Sequence, residues 1–176
     1  MKIAIIGHSG SGKSTLARGL AEKYRIPVLH FDAVQFLPDW EIRPEEEKQR
    51  MTQAFLDANA AWVIDGNYSK LSYERRMAEA DVIVVMLFNR WHCLWRVTKR
   101  YLRYKNKTRP DMAAGCKEKL DREFVRWILR DGRSQAAKDR YGWVLSKYAH
   151  KAVVVKNQRQ LNKVQNRIDQ ILQTAS

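Results

Sequence analysis

The chain has 176 residues, of which 45% are apolar, so it can bury the core of one domain and is not a disordered protein. No apolar run approaches the roughly 18 residues of a membrane span, and two cysteines exclude a disulfide framework. We therefore expect a cytoplasmic protein with no membrane partner. The net charge of +14 arises from residues 90–176, where 22 Lys and Arg face 7 Asp and Glu. This excess favours a polyanionic partner, such as nucleotide phosphates or nucleic acid.

Short apolar strands alternate with amphipathic helices along the chain. The predicted order is strand 3–6, helix 13–24, strand 27–31, helix 44–59, strand 61–64, helix 70–79, strand 82–88, helix 91–104, loop 105–117, helices 118–131 and 134–148, strand 152–155 and helix 159–173. Five buried strands separated by helices predict an α/β fold, a five-stranded parallel sheet with helices on both faces. No linker divides the chain, so we expect a single domain over residues 1–176.

A glycine-rich segment joins the first predicted strand to the first helix. Residues 7–14 read Gly-His-Ser-Gly-Ser-Gly-Lys-Ser and fit the pattern G-x-x-x-x-G-K-[ST] of a phosphate-binding P-loop. A chance Gly/Ser-rich turn is the alternative, but the strand–loop–helix context argues against it. Lys13 is expected to reach the terminal phosphates and Ser14 to bind Mg²⁺. The predicted ATP-binding residues here are Gly7, His8, Ser9, Gly10, Ser11, Gly12, Lys13, Ser14 and Thr15.

The order of these elements resembles the nucleoside monophosphate kinase group, which includes adenylate, shikimate and gluconate kinases. The resemblance implies a P-loop NTPase fold with an acceptor-binding segment at about 32–60 and a basic lid at about 96–131. Asp65, followed by Gly66, is similar to the adenylate kinase Asp that helps to hold the water shell of Mg²⁺. Related kinases cradle adenine after the fifth strand, which implies a nucleotide contact around Asn157 and Arg159.

Four segments together resemble a more specific group, the bacterial DNA topology modulation protein family. They are residues 7–17, residues 62–69 (Trp-Val-Ile-Asp-Gly-Asn-Tyr-Ser), residues 107–112 (Lys-Thr-Arg-Pro-Asp-Met) and residues 156–159 (Lys-Asn-Gln-Arg). That family is kinase-like in sequence and takes its name from a role in DNA supercoiling. Asn89 departs from related kinases, which usually carry Pro after the fourth strand.

Two arginine stripes lie in the expected lid. Arg96, Arg100 and Arg103 share one face of the helix after the fourth strand, and Arg122, Arg126, Arg130 and Arg133 form a second stripe. Adenylate kinases carry arginines at positions like Arg96 and Arg100, where they touch ATP phosphates. The helix after the lid supplies arginines to the transferred phosphoryl group in such kinases, which implies a catalytic role for Arg130. The alternative is that both stripes are solvated helix faces.

The acceptor segment offers one carboxylate and several cations. Asp32 directly follows the second strand, where a carboxylate handles the acceptor hydroxyl in shikimate- and nucleoside-kinase-like proteins. If the acceptor were a phosphate, no base would be needed; Asp32 could also be a helix or turn cap. Further candidates for acceptor or lid contacts are Arg43, Arg75 or Arg76, Arg109 and the ring of Trp40.

We therefore expect an ATP-dependent phosphotransferase that uses Mg²⁺ and acts on an anionic or hydroxylated small metabolite or nucleotide. The predicted catalytic residues are Lys13, Asp32, Arg96, Arg100 and Arg130, and the metal-binding residues are Ser14 and Asp65. The alternative function is a nucleic-acid-associated regulatory ATPase that affects DNA topology, with weak, non-specific DNA binding. A nucleotide-binding protein without turnover is a third interpretation.

Overall fold

The computed structural model describes residues 1–174, in which five strands form one parallel sheet. The strands are β1 (Lys2–Gly7), β2 (Val28–His30), β3 (Trp62–Asp65), β4 (Val82–Met86) and β5 (Ala152–Val155). Their order across the sheet is β2-β3-β1-β4-β5, and every neighbouring pair is parallel. The predicted α/β class and five-stranded parallel sheet are therefore confirmed.

Helices cover both faces of this sheet. They are α1 (Lys13–Tyr24), α2 (Phe31–Gln35), α3 (Glu45–Ala58), α4 (Tyr73–Glu79), α5 (Arg90–Tyr104), α6 (Arg122–Leu129), α7 (Gln135–Lys147), α8 (Gln158–Asn162) and α9 (Val164–Thr174). Single 3₁₀ turns lie at Pro38–Trp40, Asp131–Arg133 and Ala149–Lys151. No helix within residues 1–174 combines the length and apolarity that crossing a bilayer requires.

The core consists of two apolar layers, one on each face of the sheet. Side chains alternate along β1, so that Ile3 and Ile5 pack in one layer while Ala4 and Ile6 pack in the other. The first layer also contains residues of α1, α5, α6 and α9, and the second contains residues of α3, α4 and α7. Burial on both faces explains why these strands read as continuous apolar runs in the sequence.

Several helix and strand boundaries differ from the predicted ones. The helix predicted at 118–131 begins only at Arg122, because the Asp121 side chain caps it by accepting from the Phe124 N–H at 2.8 Å. The predicted last helix is interrupted at Lys163, between α8 and α9. The strand predicted at 27–31 ends at His30, since Phe31 already begins α2.

The carboxyl ends of the parallel strands place the chemically active residues at one edge of the sheet. β1 ends at Gly7, where the P-loop starts, and β3 ends at Asp65. Asp32 lies in α2, two residues beyond β2. Ligands bind at this edge of open α/β sheets, so the topology brings the P-loop and both carboxylates to one cleft.

Candidate functional site

The P-loop runs from Gly7 into α1 in a conformation that its glycines permit. Gly10 and Gly12 have φ angles of 77° and 97°, which disfavour residues with a Cβ atom. A Cβ on Gly10 would lie 2.7 Å from both the Cys93 carbonyl oxygen and the Val97 side chain. The loop therefore packs directly on α5, and this contact fixes the distance between the phosphate site and the arginines of that helix.

Asn67 anchors the start of the loop. Its Oδ1 accepts from the Gly7 N–H at 2.8 Å, and its Nδ2 donates to the Gly7 carbonyl and to the Tyr141 hydroxyl. The side chain thus spans β3, the P-loop and α7. Asn67 was not among the predicted site residues, although it follows Asp65 and Gly66 in the same loop.

Ser14 and Asp65 form an oxygen pair beside the loop. The Ser14 hydroxyl donates to Asp65 Oδ2 at 2.8 Å, while His30 Nδ1 contacts the other carboxylate oxygen. Mg²⁺ prefers oxygen ligands, keeps several waters and uses one or two protein groups, so this pair fits the predicted metal site. Among the described residues, no group of three or more His, Cys, Asp and Glu could hold a metal. Water and phosphate oxygens would thus complete the coordination of Mg²⁺ here.

Lys13 lies half-buried at the amino end of α1. Its Nζ donates to the His8 carbonyl at 3.0 Å, which folds the side chain back over the loop. Burial lowers the pKa of Lys13, and the negative charges of Asp65 and Asp32 oppose that effect. The two carboxylates therefore help to keep the ammonium charged at the point where phosphates are expected.

Arg96 connects α5 to the loop. Its guanidinium donates to the Ser11 carbonyl at 2.6 Å and to the Gln158 side chain, and it stacks 4.5 Å from the centre of the Phe88 ring. Gln158 lines the cleft beside it, whereas Asn157 caps α8 and Arg159 is exposed outside the lining. Of this segment, Gln158 lines the cleft and the side chains of Asn157 and Arg159 do not, so their nucleotide contact stays a prediction.

A buried ion-pair network occupies the lid. Both carboxylate oxygens of Glu118 are used, since Arg100 binds Oε1 at 2.8 Å and Arg109 binds Oε2 at 2.6 Å. Arg109 also pairs with Asp111 at 2.9 Å. The Glu118 side chain is only 1% exposed, so its charge must be balanced by these two arginines. Arg100 and Arg109 both line the cleft, although in this conformation their ion pairs are with carboxylates of the lid.

The acceptor half of the cleft is built around Asp32. The Tyr68 hydroxyl donates to Asp32 Oδ1 at 2.8 Å, and burial followed by the Asp32 charge raises the pKa of Tyr68 above its ordinary value. The Trp40 indole donates to the Lys117 carbonyl at 2.9 Å, which ties this segment to the lid. Asp32, Tyr68 and Trp40 line the same cleft as the P-loop, together with the buried amine of Lys48.

The three acceptor-side arginines considered from the sequence have structural partners. Arg76 is fully buried and donates to the carbonyls of Leu71 and Tyr68, with its guanidinium 4.3 Å from the centre of the Phe31 ring. Arg43 donates to the Val34 carbonyl and pairs with Glu47. Arg75 pairs with Asp57 and Glu79 on the surface. In the part of the chain that the structure describes, the cleft lining includes none of these three arginines.

The second arginine stripe divides into two parts. Arg122, Arg126 and Arg130 are exposed and lie outside the cleft lining, so the structure does not bring Arg130 to the P-loop. Arg133 turns inward and donates to the carbonyls of Ile128 and Phe88, both at 3.0 Å. On the cleft side, the indole of Trp127 donates to the hydroxyl of Ser9 at 3.1 Å. An aromatic residue of α6, rather than an arginine, therefore covers the loop here.

His8 reaches behind the loop, away from the cleft. Its ring meets the Tyr141 ring edge-on at 5.5 Å. Burial, with the charges of Arg133 and Lys13, lowers the pKa of His8 to about 4. The imidazole is therefore neutral at physiological pH.

Comparison with known proteins relates this fold to small kinases. No protein-family model matches the sequence, and a search of curated proteins found no significant match. The structure is similar to a shikimate kinase from Acinetobacter baumannii in complex with shikimate, with a TM-score of 0.59 and 15% identity over 98% of this chain and 93% of that chain. It is also similar to a deoxyadenosine kinase from M. mycoides, with a TM-score of 0.51 and 13% identity over 97% of this chain and 100% of that chain.

These likenesses confirm the predicted P-loop, kinase-like α/β fold. At such low identity they establish the fold alone. The resemblance to the DNA topology modulation family has no support from the family comparison and stays a prediction.

Proposed function

We propose that the protein is an ATP-dependent phosphotransferase that transfers the γ-phosphoryl group of ATP to a hydroxyl group of a small acceptor. The observation that carries the proposal is the position of Asp32. This carboxylate, held by the Tyr68 hydroxyl at 2.8 Å, lines the same cleft as Lys13 and the rest of the P-loop. A phosphate donor and a hydroxyl acceptor can therefore meet in one site.

In the proposed reaction, the acceptor oxygen forms a bond to the γ-phosphorus while the bond to the bridging oxygen breaks and ADP leaves. Asp32 accepts the hydroxyl proton as the new bond forms. Lys13 and the P-loop N–H groups balance negative charge on the phosphate oxygens, and Arg96 lies beside them at Ser11. Mg²⁺, held through Ser14 and Asp65, would supply charge neutralisation for the β- and γ-phosphates.

A hydroxyl acceptor agrees better with this cleft than a phosphorylated one. The arginines considered for a second phosphate, Arg43, Arg75 and Arg76, are committed to other partners, and the Lys48 amine of the cleft is paired with Glu45 at 2.9 Å. The Asp32 carboxylate would also repel a phosphate placed against it. Trp40 and Phe36, whose ring centres are 5.2 Å apart, offer an apolar wall for the acceptor. We therefore expect sugars, polyols, cyclitols or nucleosides as the acceptor class.

The test uses radiolabelled ATP with a panel of polyhydroxylated compounds, nucleosides and nucleoside monophosphates. Asp32→Asn should reduce transfer by about 10²–10⁴-fold, the usual contribution of a general base, while the affinity for an ATP analogue is kept. Asp39→Asn is the matched control, because Asp39 lies exposed in the same segment. Full activity in Asp32→Asn, or transfer only to monophosphates, would contradict the proposal.

A specific surface supports the alternative function, the nucleic-acid-associated ATPase. Trp91 and Trp95 of α5 are 64% and 55% exposed, and Arg122, Arg126 and Arg130 face solvent on the neighbouring helix. Aromatic rings among exposed cations can stack on bases and contact the phosphates of single strands. An ATPase of this kind would hydrolyse ATP faster when DNA is added and would need no small acceptor. ATP consumption by a phosphotransferase would instead depend on the acceptor and not on DNA.

A further inference from the structure

A second cavity lies at the P-loop residue His8 and shares one described residue, Tyr141, with the lining of the nucleotide cleft. Its volume is about 360 Å³. The lining residues are His8, Leu87, Arg90, Arg133, Lys138, Tyr141, Gly142 and Leu145. They come from the P-loop, the end of β4, the start of α5 and α7, so four separate parts of the fold build this cavity. Of the residues predicted to act in catalysis or to bind the metal, none lies in its lining.

The charge of this cavity is one-sided. Arg90, Arg133 and Lys138 supply three cations, and no acidic residue is part of the lining. Within residues 1–174, none of the three has a carboxylate within ion-pair distance. Arg90 and Lys138 are exposed and Arg133 is half-buried, so water screens part of their mutual repulsion and a bound anion would relieve the rest. The Arg133 side chain is held in place, because it donates to two backbone carbonyls.

His8 provides an unused hydrogen-bonding atom at the same place. Its Nδ1 is buried and has no hydrogen-bond partner among the described residues. A buried polar atom without a hydrogen-bond partner costs free energy, and a ligand that reached it would recover that cost. Tyr141 lines both this cavity and the nucleotide cleft, where its hydroxyl accepts from Asn67. Leu87 and Leu145 add a small apolar wall.

We propose that this cavity binds a small molecule that carries one phosphate group, and that such a ligand inhibits nucleotide binding at the P-loop. The two guanidinium groups and the lysine match the charge of a phosphate, and guanidinium groups suit its geometry. With a volume of about 360 Å³, the cavity has room for the phosphate ester of a small molecule.

The inhibition follows from the connection through His8. Its ring lines the cavity while its carbonyl accepts from Lys13 Nζ at 3.0 Å. A bound anion cancels part of the positive potential that Arg133 and Lys13 create around the loop. An anion in this cavity and one at the P-loop also repel each other, so each lowers the affinity of the other by the same factor.

The experiment titrates inorganic phosphate, glycerol 3-phosphate and acetate into protein saturated with a non-hydrolysable ATP analogue, so that the P-loop is already filled. The ring signals of His8 report binding by nuclear magnetic resonance. We expect saturable binding of the two phosphates, with the pKa of His8 raised because an anion favours the imidazolium form. Acetate should bind more weakly, and the tighter-binding of the two phosphates shows whether the free ion or an ester is preferred.

Lys138→Gln should weaken this binding about tenfold, the effect of removing one charge-assisted hydrogen bond. Lys147→Gln is the matched control, because it makes the same charge change on α7 outside the cavity. Arg90→Gln combined with Lys138→Gln should abolish saturable binding. If phosphate did not bind once the P-loop is filled, the proposed site would be wrong. The same conclusion would follow if Lys147→Gln weakened phosphate binding as much as Lys138→Gln.

Inhibition is measured separately, from the affinity of the ATP analogue at increasing phosphate ester. Coupling between two sites reaches a plateau, whereas direct competition at the P-loop grows without limit and survives in Lys138→Gln. We expect a plateau of a few-fold that disappears in Lys138→Gln, and a constant affinity would overturn the inhibitory role. None of these measurements needs phosphoryl transfer, so they can succeed or fail independently of the proposed enzymatic activity.

Discussion

Helices α5 and α6 carry arginines at similar spacing but present them in opposite directions. On α5, Arg96 and Arg100 are half-buried and line the cleft. On α6, Arg122 and Arg126 face solvent, and Arg126 makes only an exposed ion pair with Asp131 at 3.0 Å. The same periodic pattern therefore places arginines in the site on one helix and on the solvent-exposed surface on the other.

The difference arises from what each helix packs against. α5 lies on the P-loop through Cys93 and Val97, so the arginines beside these residues turn towards the phosphate site. Its large apolar side chains Trp91, Trp95 and Leu102 are left exposed, which reverses the usual arrangement. α6 buries Ile128 in the ordinary way and therefore turns its arginines outward.

A buried carboxylate holds one of the inward arginines in place, and its removal should have the largest effect. Glu118→Ala leaves Arg109, a side chain that is 6% exposed, with only Asp111 as its counter-ion. Breaking a buried ion pair costs about 3–5 kcal/mol, so urea unfolding should show a destabilisation of this size. Glu123→Ala on exposed α6 is the control, with a change within about 1 kcal/mol. Equal destabilisation in the two variants would mean that the network does not stabilise the lid.

Arg96 tests the inward helix at the site itself. Arg96→Ala should lower kcat by about 10²–10³-fold, as the removal of one preorganised donor to transition-state charge does in other enzymes. Arg130→Ala should leave kcat within about twofold, because this side chain is exposed outside the cleft. Steady-state kinetics with an acceptor from the panel measure both. A comparable decrease in Arg130→Ala would show that α6 rotates inward in the working lid, as the sequence suggested.

Arg133 is the one inward-facing member of the second stripe, and its charge should affect how the stability of the protein depends on pH through His8. Burial and the Arg133 charge lower the pKa of His8 to about 4, against about 6.5 in an unfolded chain. Between these values the unfolded state binds the proton more readily, so the stability of the folded protein decreases as pH falls from about 6.5 towards 4. The decrease should be smaller in His8→Asn, measured by urea unfolding across this range.

Removing each arginine separates the two parts of the stripe. Arg133→Gln should raise the pKa of His8, whereas Arg130→Gln should leave it unchanged, as read from the ring signals of His8 by nuclear magnetic resonance. An identical His8 pKa in both variants would mean that burial alone sets its value.

The sequence predicted the parts of the site that are local along the chain. The P-loop, the helix that follows it and the Asp65 that ends β3 are each defined by neighbouring residues or by a strand end. The contact between Ser14 and Asp65 then follows from the pairing of β1 with β3. In this part of the fold, parallel topology converts local patterns into spatial neighbours.

The sequence did not predict the contacts that depend on side-chain direction. Asn67 reaches Gly7, Gln158 reaches Arg96 and Glu118 reaches Arg100. Asn67 and Gln158 lie in the segments that carry the family resemblance, but those segments do not say where their side chains point. Helical spacing grouped Arg122, Arg126 and Arg130 with Arg133, but only packing decides which side of a helix is buried. α6 ends at Leu129 and Arg133 lies in the 3₁₀ turn that follows, so Arg133 does not continue the helical stripe.

The outward arginines should have the smallest effect on the fold and the site. Replacing Arg122, Arg126 and Arg130 together by Gln should change stability by no more than about 1 kcal/mol, since Arg126 is 72% exposed in its ion pair.

Duplex DNA binding by the unmodified protein should be weak, independent of sequence and steeply salt-dependent, because counterion release dominates. The Gln variant should reduce the slope of log K against log salt by about one for each DNA phosphate that the protein no longer neutralises. A triple Arg→Lys variant keeps the charge and should keep the slope. Tight, sequence-dependent binding at physiological salt would instead make DNA the partner that this surface serves.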